Sequence, residues 1–483
     1  MVTFTFFYYI IFFMDAEFYS LGAAEEVTGS KHVLEIDGTS YLFDCGAFQG
    51  SRAEAERKNR NLGIATDRIE SVILTHGHLD HCGLLPLLVK QGYKANIYAT
   101  PATRDLASLI MMDSANIQAR DAIYLKTQAQ KKGEKFDWTP LYTEHDAIAA
   151  VGQTVGISYN RPMFIGDGVS LEFYDAGHIL GSAIAAIKIK KGGEELNILA
   201  TGDLGRKGKP IIRNPAIPEV APDYVILEST YGDRLHDSTD DAIKKLADLA
   251  QRTVKNKGKI LIPSFAIERT QELVYYFHLL VDDGIIPEVP IFVDSPMATN
   301  ATTIFQVHPE CYGEEIKKAF IKHHKNPFGF NSLHFTTSVQ ESKDLNDHQG
   351  PLIIISADGM CEAGRIQHHL IHNIQDPNTT IMTVGYMAEN TLGRRIRNRE
   401  SEVKIHGEWF KLKAQVEEIN AFSAHADYKE ILEWLKEVDT SRLKGIFLVH
   451  GEKKAQAFLK KYLEENGFPN VNIVKYGKTY ELT

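Results

Sequence analysis

The sequence predicts a mixed α/β protein of two packed units, the first opening with short β-strands and the second an inserted parallel α/β layer. Three observations carry this. The 483 residues exceed what one hydrophobic core usually supports. Short β runs separated by glycine-rich turns dominate up to Tyr231, and beyond it apolar strands alternate with amphipathic helices. Histidines and acids gather where strands end, which is where α/β folds usually place their chemistry.

The apolar fraction of 43% and charged fraction of 24% are those of a globular chain, and they exclude disorder. A net charge of -10 excludes a protein that coats nucleic acid non-specifically, so any contact with a polyanion must be a local groove. Cys45, Cys82, Cys311 and Cys361 form no C-x-x-C pair and read as reduced thiols of a cytoplasmic protein. Residues 1–13, MVTFTFFYYIIFF, are too short to span a bilayer and lack a basic flank, so we expect an apolar extension before Met14 and no membrane association.

From Asp15 the runs EFYSLG, HVLEIDG and SYLFDCG are strands. A buried strand, Ser71 to Thr75, then enters HGHLDH and a helix CGLLPLLVKQG. SLEFYDAG, AIAAIKIK, LNILATGD and YVILEST follow as strands that lead to His178, Asp203 and Glu228. The insert begins with the helix DDAIKKLADLAQRTVKN and continues through KILIPSF, IERTQELVYYFHLLV, PIFVDSP, PLIIISADG and TTIMTVGY. From about Val416 a β run leads to AFSAHAD, a helix, the strand GIFLVHGE, another helix and a last strand. The boundaries are 1–13 for the extension, 14–231 for the first part of the core, 232–419 for the insert and 420–483 for the return segment.

His76, His78, Asp80 and His81 place four metal-binding side chains within six residues. Imidazole and carboxylate suit zinc without thiolates. Gly77 allows a tight turn, so His76 and His78 converge on one ion while Asp80 and His81 point to a second. Cys82 reads as a small core residue at the start of a buried helix.

HGHLDH resembles the H-x-H-x-D-H signature of the metallo-β-lactamase superfamily, and LFDCG, DAGHILGSA and ATGDLG agree with it in order. The resemblance implies a metallo-β-lactamase αββα sandwich and two Zn2+. One ion is held by His76, His78 and His178 and the other by Asp80 and His81, with Asp203 bridging. It counts Asp80 among the catalytic groups too. Asp44 is expected to orient a ligand without touching metal. ESTYGDR, IPSFAIERTQEL, DSPMA, SADGMCEAGRIQHHL, GYMAENTLGRRI, FSAHADY and LVHGE are similar to the β-CASP nucleases, relatives of the pre-mRNA 3′-end cleavage endonuclease. That likeness covers nearly everything from Met14 to Glu452. It implies that the insert is a β-CASP domain, that Glu228 and His425 form an acid/base pair, and that His450 completes the second zinc site. A histidine at that last position is typical of the RNA-directed branch.

Ser264 with Arg269, and Ser356 in SADGM, stand at strand ends before helices, an arrangement that attracts phosphate. Related sequences usually have glycine where Glu268 stands. LGRRIRNR is the densest basic run, and its Arg394 and Arg395, with Arg206, Lys207 and Lys209, could line a groove for RNA. His368 and His369 read as helix packing.

The function expected is a zinc-dependent RNA phosphodiesterase, an endoribonuclease in which a hydroxide between two zincs attacks phosphorus in line. Single-stranded RNA is the expected partner, and homodimerisation is common in the family. The alternatives are a 5′-3′ exoribonuclease of the RNase J type, a catalytically silent RNA-binding scaffold, and a hydrolase of small acyl esters or lactams. RNase J-like enzymes usually carry a further C-terminal domain, which favours the endonuclease.

Overall fold

Two seven-stranded sheets stack face to face, and a six-stranded sheet forms a separate layer beside them. The computed structural model describes residues 14–50, 52–314, 316–318, 326–385, 387 and 390–483, so the expected extension at 1–13 lies outside the described residues. The first sheet runs in the order Tyr480–Glu481, Ala16–Gly22, Lys31–Ile36, Thr39–Phe43, Ile69–Ile73, Ile97–Ala99, Thr154–Gly156. The second is Val471–Ile473, Gly445–Val449, Tyr224–Glu228, Glu194–Ala200, Ala183–Lys191, Val169–Asp175, Met163–Gly166. Phe18, Leu34, Phe43 and Ile73 of one sheet meet Leu171, Phe173, Ile187, Ile226 and Phe447 of the other in one apolar layer. Removing this surface from water is the main force holding the sandwich.

Helices cover both outer faces. Pro101–Lys132 begins with proline after Thr100, whose hydroxyl accepts from Thr103 N, and Glu144–Gly152 starts with a capping box of Thr143 and Asp146. Leu106, Ala107, Met111 and Ala147 of these helices are buried, some against the first sheet. Tyr428–Glu437, with its own capping box of Asp427 and Glu430, and Lys453–Glu465 bury Ile431, Trp434, Leu435 and Leu459 against the second. The result is the αββα order.

The insert sheet, Leu333–Phe335, Ile291–Val293, Leu352–Ser356, Lys259–Pro263, Thr379–Val384, Gln415–Ile419, is parallel throughout. Its central strand LIIIS is fully buried, as a strand covered on both faces must be. Ala266, Ile267 and Phe422 share an apolar cluster with Ala102, Leu106, Ile179 and Leu180, so the insert seats on the loop that carries His178.

Two details differ from the sequence reading. The strand before HGHLDH is Ile69–Ile73, and the helix after it divides into Leu79–Cys82 and Leu85–Lys90, with Pro86 in the first turn of the second. Asp80 and His81 therefore stand on a helical turn. The β run at Val416 pairs with Thr379–Val384 as the edge strand of the insert sheet, within the expected bounds, and the chain rejoins the sandwich with the helix Tyr428–Glu437 and the strand Gly445–Val449.

Candidate metal centre and active site

Parallel pairing brings the candidate residues together. Thr39–Phe43 and Ile69–Ile73 run parallel, so Asp44 and the His76–His81 loop leave the first sheet at one edge. In the second sheet Glu194–Ala200, Tyr224–Glu228 and Gly445–Val449 are also parallel, and their ends lead to Asp203, Glu228 and His450. Glu228 is in register with Val449, which sets His450 beside it.

Two groups of donor atoms result. His76 Nε2 lies 3.0 Å from His78 Nδ1, His178 Nε2 is 3.4 Å from the same atom, and Asp203 Oδ2 is 3.5 Å from both His76 and His178. Across the carboxylate, Asp203 Oδ1 is 3.4 Å from His81 Nε2 and 3.2 Å from His450 Nδ1. His450 Nε2 lies 3.3 Å from His81 Nε2 and 3.5 Å from Asp80 Oδ2. Ligands of a tetrahedral zinc at its usual bond lengths stand about 3.3 Å apart, so His76, His78, His178 and Asp203 have the spacing of one coordination shell and Asp80, His81 and His450, through its Nε2, that of a second that Asp203 Oδ1 reaches at His81. Buried Asp203 Oδ1 has no hydrogen bond, nor has His178 Nδ1, among the described residues. An unpartnered buried carboxylate oxygen between ring nitrogens is what a cation would satisfy.

Electrostatics agree with the geometry. Burial, reinforced by neighbouring imidazoles, holds His76 and His178 well below the usual histidine range, and burial brings His78 to about 4. Neutral imidazole is the metal-binding form. His81 differs: burial opposes its charge, but Asp203 and Asp44 hold it up at about 10. Its Nδ1 donates to Asp44 Oδ2 at 2.7 Å, which aims Nε2 at Asp203. Asp44 is itself fixed, accepting from Thr75 N at 2.7 Å and Thr75 Oγ1 at 2.9 Å. Asp44 and His450 have φ of 60° and 49°, left-handed backbone in non-glycine residues that clusters at functional sites.

Gly77 is required for a reason other than turn geometry. A Cβ there would stand 2.9 Å from Leu106 Cβ, so the loop lies directly on the helix Pro101–Lys132. Gly46 likewise admits the backbone of Asp80, whose carbonyl oxygen would be 1.6 Å from a Cβ.

Glu228 is buried, its Oε1 accepting from Leu204 N and His425 Nδ1, each at 3.0 Å, and its Oε2 from Thr230 N at 2.9 Å. Burial disfavours charge on His425, yet Glu228 and then Asp203 hold it up at about 9. His425 also packs against the His178 ring, with centroids 4.6 Å apart.

Sequence reasoning missed the groups behind His425. His236 Nε2 donates to His425 O at 2.9 Å, Tyr231 lies between the two imidazoles, and Tyr231 pairs with Asp427 in an isolated bridge. His236 follows ESTYGDRL directly, but its partners lie nearly two hundred residues on, beyond any periodicity. Cys82 is buried, as its core reading has it, and all four cysteines are free.

The expected phosphate contacts are largely engaged within the protein. Ser264 and Ser356 are buried, Ser264 Oγ lying 3.2 Å from Thr270 Oγ1 and Ser356 Oγ donating to Asp294 O at 2.9 Å. Arg269 is buried beside Glu272, with Nε and Nη1 lacking hydrogen-bond partners among the described residues. The groove suggested for Arg206, Lys207 and Lys209 is corrected by their ion pairs to Glu430, Glu437 and Glu272. Arg395 pairs with Glu400 at 2.9 Å. Glu268 has φ 67°, a left-handed backbone that glycine adopts without strain. His369 is a buried packing residue with both nitrogens satisfied, by Asp294 at 2.6 Å and Asn346 at 2.9 Å.

Three family models match successive parts of the chain. Residues 28–264 match the family model of the metallo-beta-lactamase superfamily, 270–396 the Beta-Casp domain, and 405–474 the Zn-dependent metallo-hydrolase RNA specificity domain. The chain is 34% identical to ribonuclease TTHA0252 of Thermus thermophilus, over 95% of this chain and 98% of that one. It is 31% identical to the transcription termination factor FttA of Methanosarcina mazei, over 94% and 71%. Against cleavage and polyadenylation specificity factor 73 of Drosophila melanogaster it is 28% identical, over 92% and 61%. A crystal structure from Enterococcus faecalis V583, of a protein of unknown function, shares the fold at TM-score 0.54 and 12% identity, over 97% of this chain and 100% of that one.

Proposed function

The chain belongs to the β-CASP family of the metallo-β-lactamase superfamily, and from that membership we propose a zinc-dependent endoribonuclease that cuts single-stranded RNA with two metal ions. A metal-dependent hydrolase acting on RNA is what the family and its named relatives support. The observation behind the two-ion reading is the division of Asp203 between two groups of ligands, with one oxygen turned to each.

The donors fit the ions. His76, His78 and His178 would hold one with Asp203 Oδ2, and Asp80, His81 and His450, through its Nε2, the other, with Asp203 Oδ1 next to His81 Nε2. Nitrogen and oxygen donors without thiolate suit zinc at a hydrolytic site. Bound there, the ions supply Lewis acidity toward the phosphate and a more acidic water.

The protein's own groups do the rest. Asp44 holds the tautomer of His81 by accepting a hydrogen bond from its Nδ1–H. Glu228, anchored by two backbone N–H groups, keeps His425 charged and oriented, so that its Nε2 proton is available to the departing sugar oxygen. The His425 side chain is 20% exposed, which allows it to be reprotonated from solvent.

The endonucleolytic reading draws support from a relative named for cleavage and polyadenylation, because adding a tail requires a 3′ end made by an internal cut. Buried free cysteines favour a reducing cytoplasm, and no helix among the described residues is long and apolar enough to cross a membrane. Homodimerisation belongs to the proposal too, and light scattering reads it directly. Incubation with internally and end-labelled single-stranded RNA tests the cutting mode. Internal fragments at first turnover are the expected result, and mononucleotides released from one end would replace this reading by the exonuclease.

A further inference from the structure

Away from the metal ligands, the insert carries an open cleft of about 470 Å³ lined by Asn390, Arg394, Arg395, Asn398 and Glu400. That volume lies within the range of sites for small ligands. The segment leading to it leaves the C-terminal end of Thr379–Val384, the same sheet edge from which the Ser264–Glu268 loop leaves Lys259–Pro263. That loop packs on Ile179 and Leu180 beside His178. From there the helix Leu392–Arg397 runs back toward the opposite edge of the insert sheet, where Leu412 N donates to Ser401 O and Lys413 N to Ile374 O, so the far end of the cleft stands away from the metal centre.

Next to the cleft stands the hairpin Glu402–Ile405 and Glu408–Lys411. Val403 and Ile405 are buried beneath it, while Trp409 is 58% exposed. The Arg395 guanidinium lies over the Trp409 ring, 5.6 Å from its centroid, and Arg395 Nε donates to Glu400 at 2.9 Å. The indole is thus held on one side and left to solvent on the other. Arg394 has no ion pair among the described residues, in contrast to Arg395 and Arg397. Two arginines against one glutamate make a cationic spot on a chain of net charge -10. Trp409 also lies within the segment that matches the RNA specificity domain.

We propose that Arg394, Arg395 and Trp409 form a docking site for one nucleotide of single-stranded RNA, at a distance from the bond that is cut. This inference rests on the ribonuclease reading. The base stacks on the free face of the indole, as aromatic platforms hold single strands regardless of sequence. Arg394 and Arg395 meet the adjoining phosphate, for which a planar guanidinium fork is suited. The amides of Asn390 and Asn398 can donate to and accept from the base edge. The site gives the enzyme grip on RNA long enough to reach from metal centre to hairpin, and none on shorter RNA.

The test uses the zinc-loaded full chain and initial cleavage rates on a long single-stranded RNA. Trp409→Ala is expected to raise KM on it about tenfold, the loss of one base stack, and Trp409→Phe to recover most of that loss. Arg394→Ala with Arg395→Ala should flatten the dependence of log KM on log salt, by about 0.7 for each phosphate no longer neutralised, whereas Trp409→Ala should leave that slope as it is. Zinc content and melting temperature are followed in every variant, and Trp409→Gln serves if the alanine variant does not fold. A wild type that cuts RNA, with KM and salt slope unmoved in all variants, overturns the docking site alone. A wild type that neither binds nor cuts RNA overturns the ribonuclease reading and this site with it.

Discussion

His425 titrates high because Glu228 and Asp203 outweigh the burial that opposes its charge. As an acid it acts while protonated, so the rate should hold below about 9 and fall as pH rises through that value. Glu228→Gln removes the nearer charge. The alkaline limb should then move down toward the ordinary histidine value, with kcat lower by about a hundredfold or more. A pH–rate profile that keeps its alkaline limb in this variant would remove His425 from the acid role. Asp44 works one layer further out, because it orients His81 without reaching the metal. Asp44→Ala should weaken zinc binding by about 10- to 100-fold, read by competition with a chromogenic chelator. Residues of this kind are legible wherever the motif is contiguous, as in His76 to His81. His236 is not, because a contact between side chains far apart in sequence leaves no periodic trace.

At the scale of elements, the loop holding His425 is fixed by the helix that follows. Asp427 accepts from Lys429 N and Glu430 N, and it also takes part in the bridge to Tyr231. Asp427→Ala should cost about 1 kcal/mol of stability through removal of the cap. It should also lower kcat by letting His425 drift from Glu228; a fall in melting temperature without a fall in kcat would show that the cap is structural only. The Ser264–Glu268 loop is strained in a different way. Burial, against the pull of Lys209, holds the Glu268 carboxyl up at about 8, and its φ is 67°. An acid whose folded pKa is raised binds its proton more tightly in the native state, so stability is lost as pH rises from the unfolded value, about 4.3, toward 8. Glu268→Gly should therefore stabilise the protein more at pH 8 than at pH 5 in thermal melts, and an equal effect at both would mean that the backbone alone is responsible. The elements themselves are legible where strand and helix alternate. The sheet order is not legible, because a strand's partner is not written in its own residues, and only the structure pairs the β run at Val416 with Thr379–Val384.

The whole molecule is organised so that its two sheets complete one site. His76, His78, Asp80 and His81 come from the first sheet's edge, His178 and Asp203 from the second, and His450 from the return segment after the insert. Ions held between them would tie native elements that no unfolded chain brings together. Free zinc at about a hundred times its Kd would add about 2.7 kcal/mol per site, so chelation should lower the melting temperature and zinc should restore it. The fold class is legible from length, strand-end histidines and the alternation after Tyr231. The basic run at Arg394 and Arg395 is legible too, but its contact with Trp409 is not, because that pairing of side chains leaves no trace in charge or periodicity. The central claim is that two ions and His425 cut RNA, and one measurement meets it most directly. Wild type, Asp80→Ala and His425→Ala are incubated with labelled single-stranded RNA and the matching DNA while bound zinc is counted. The account requires internal cuts in RNA by the wild type, about two zincs per chain as the two-ion mechanism demands, loss of metal in Asp80→Ala, and full metal without cutting in His425→Ala. Full zinc loading in a wild type that leaves both nucleic acids intact would contradict it and turn the search toward small acyl substrates or a binding role.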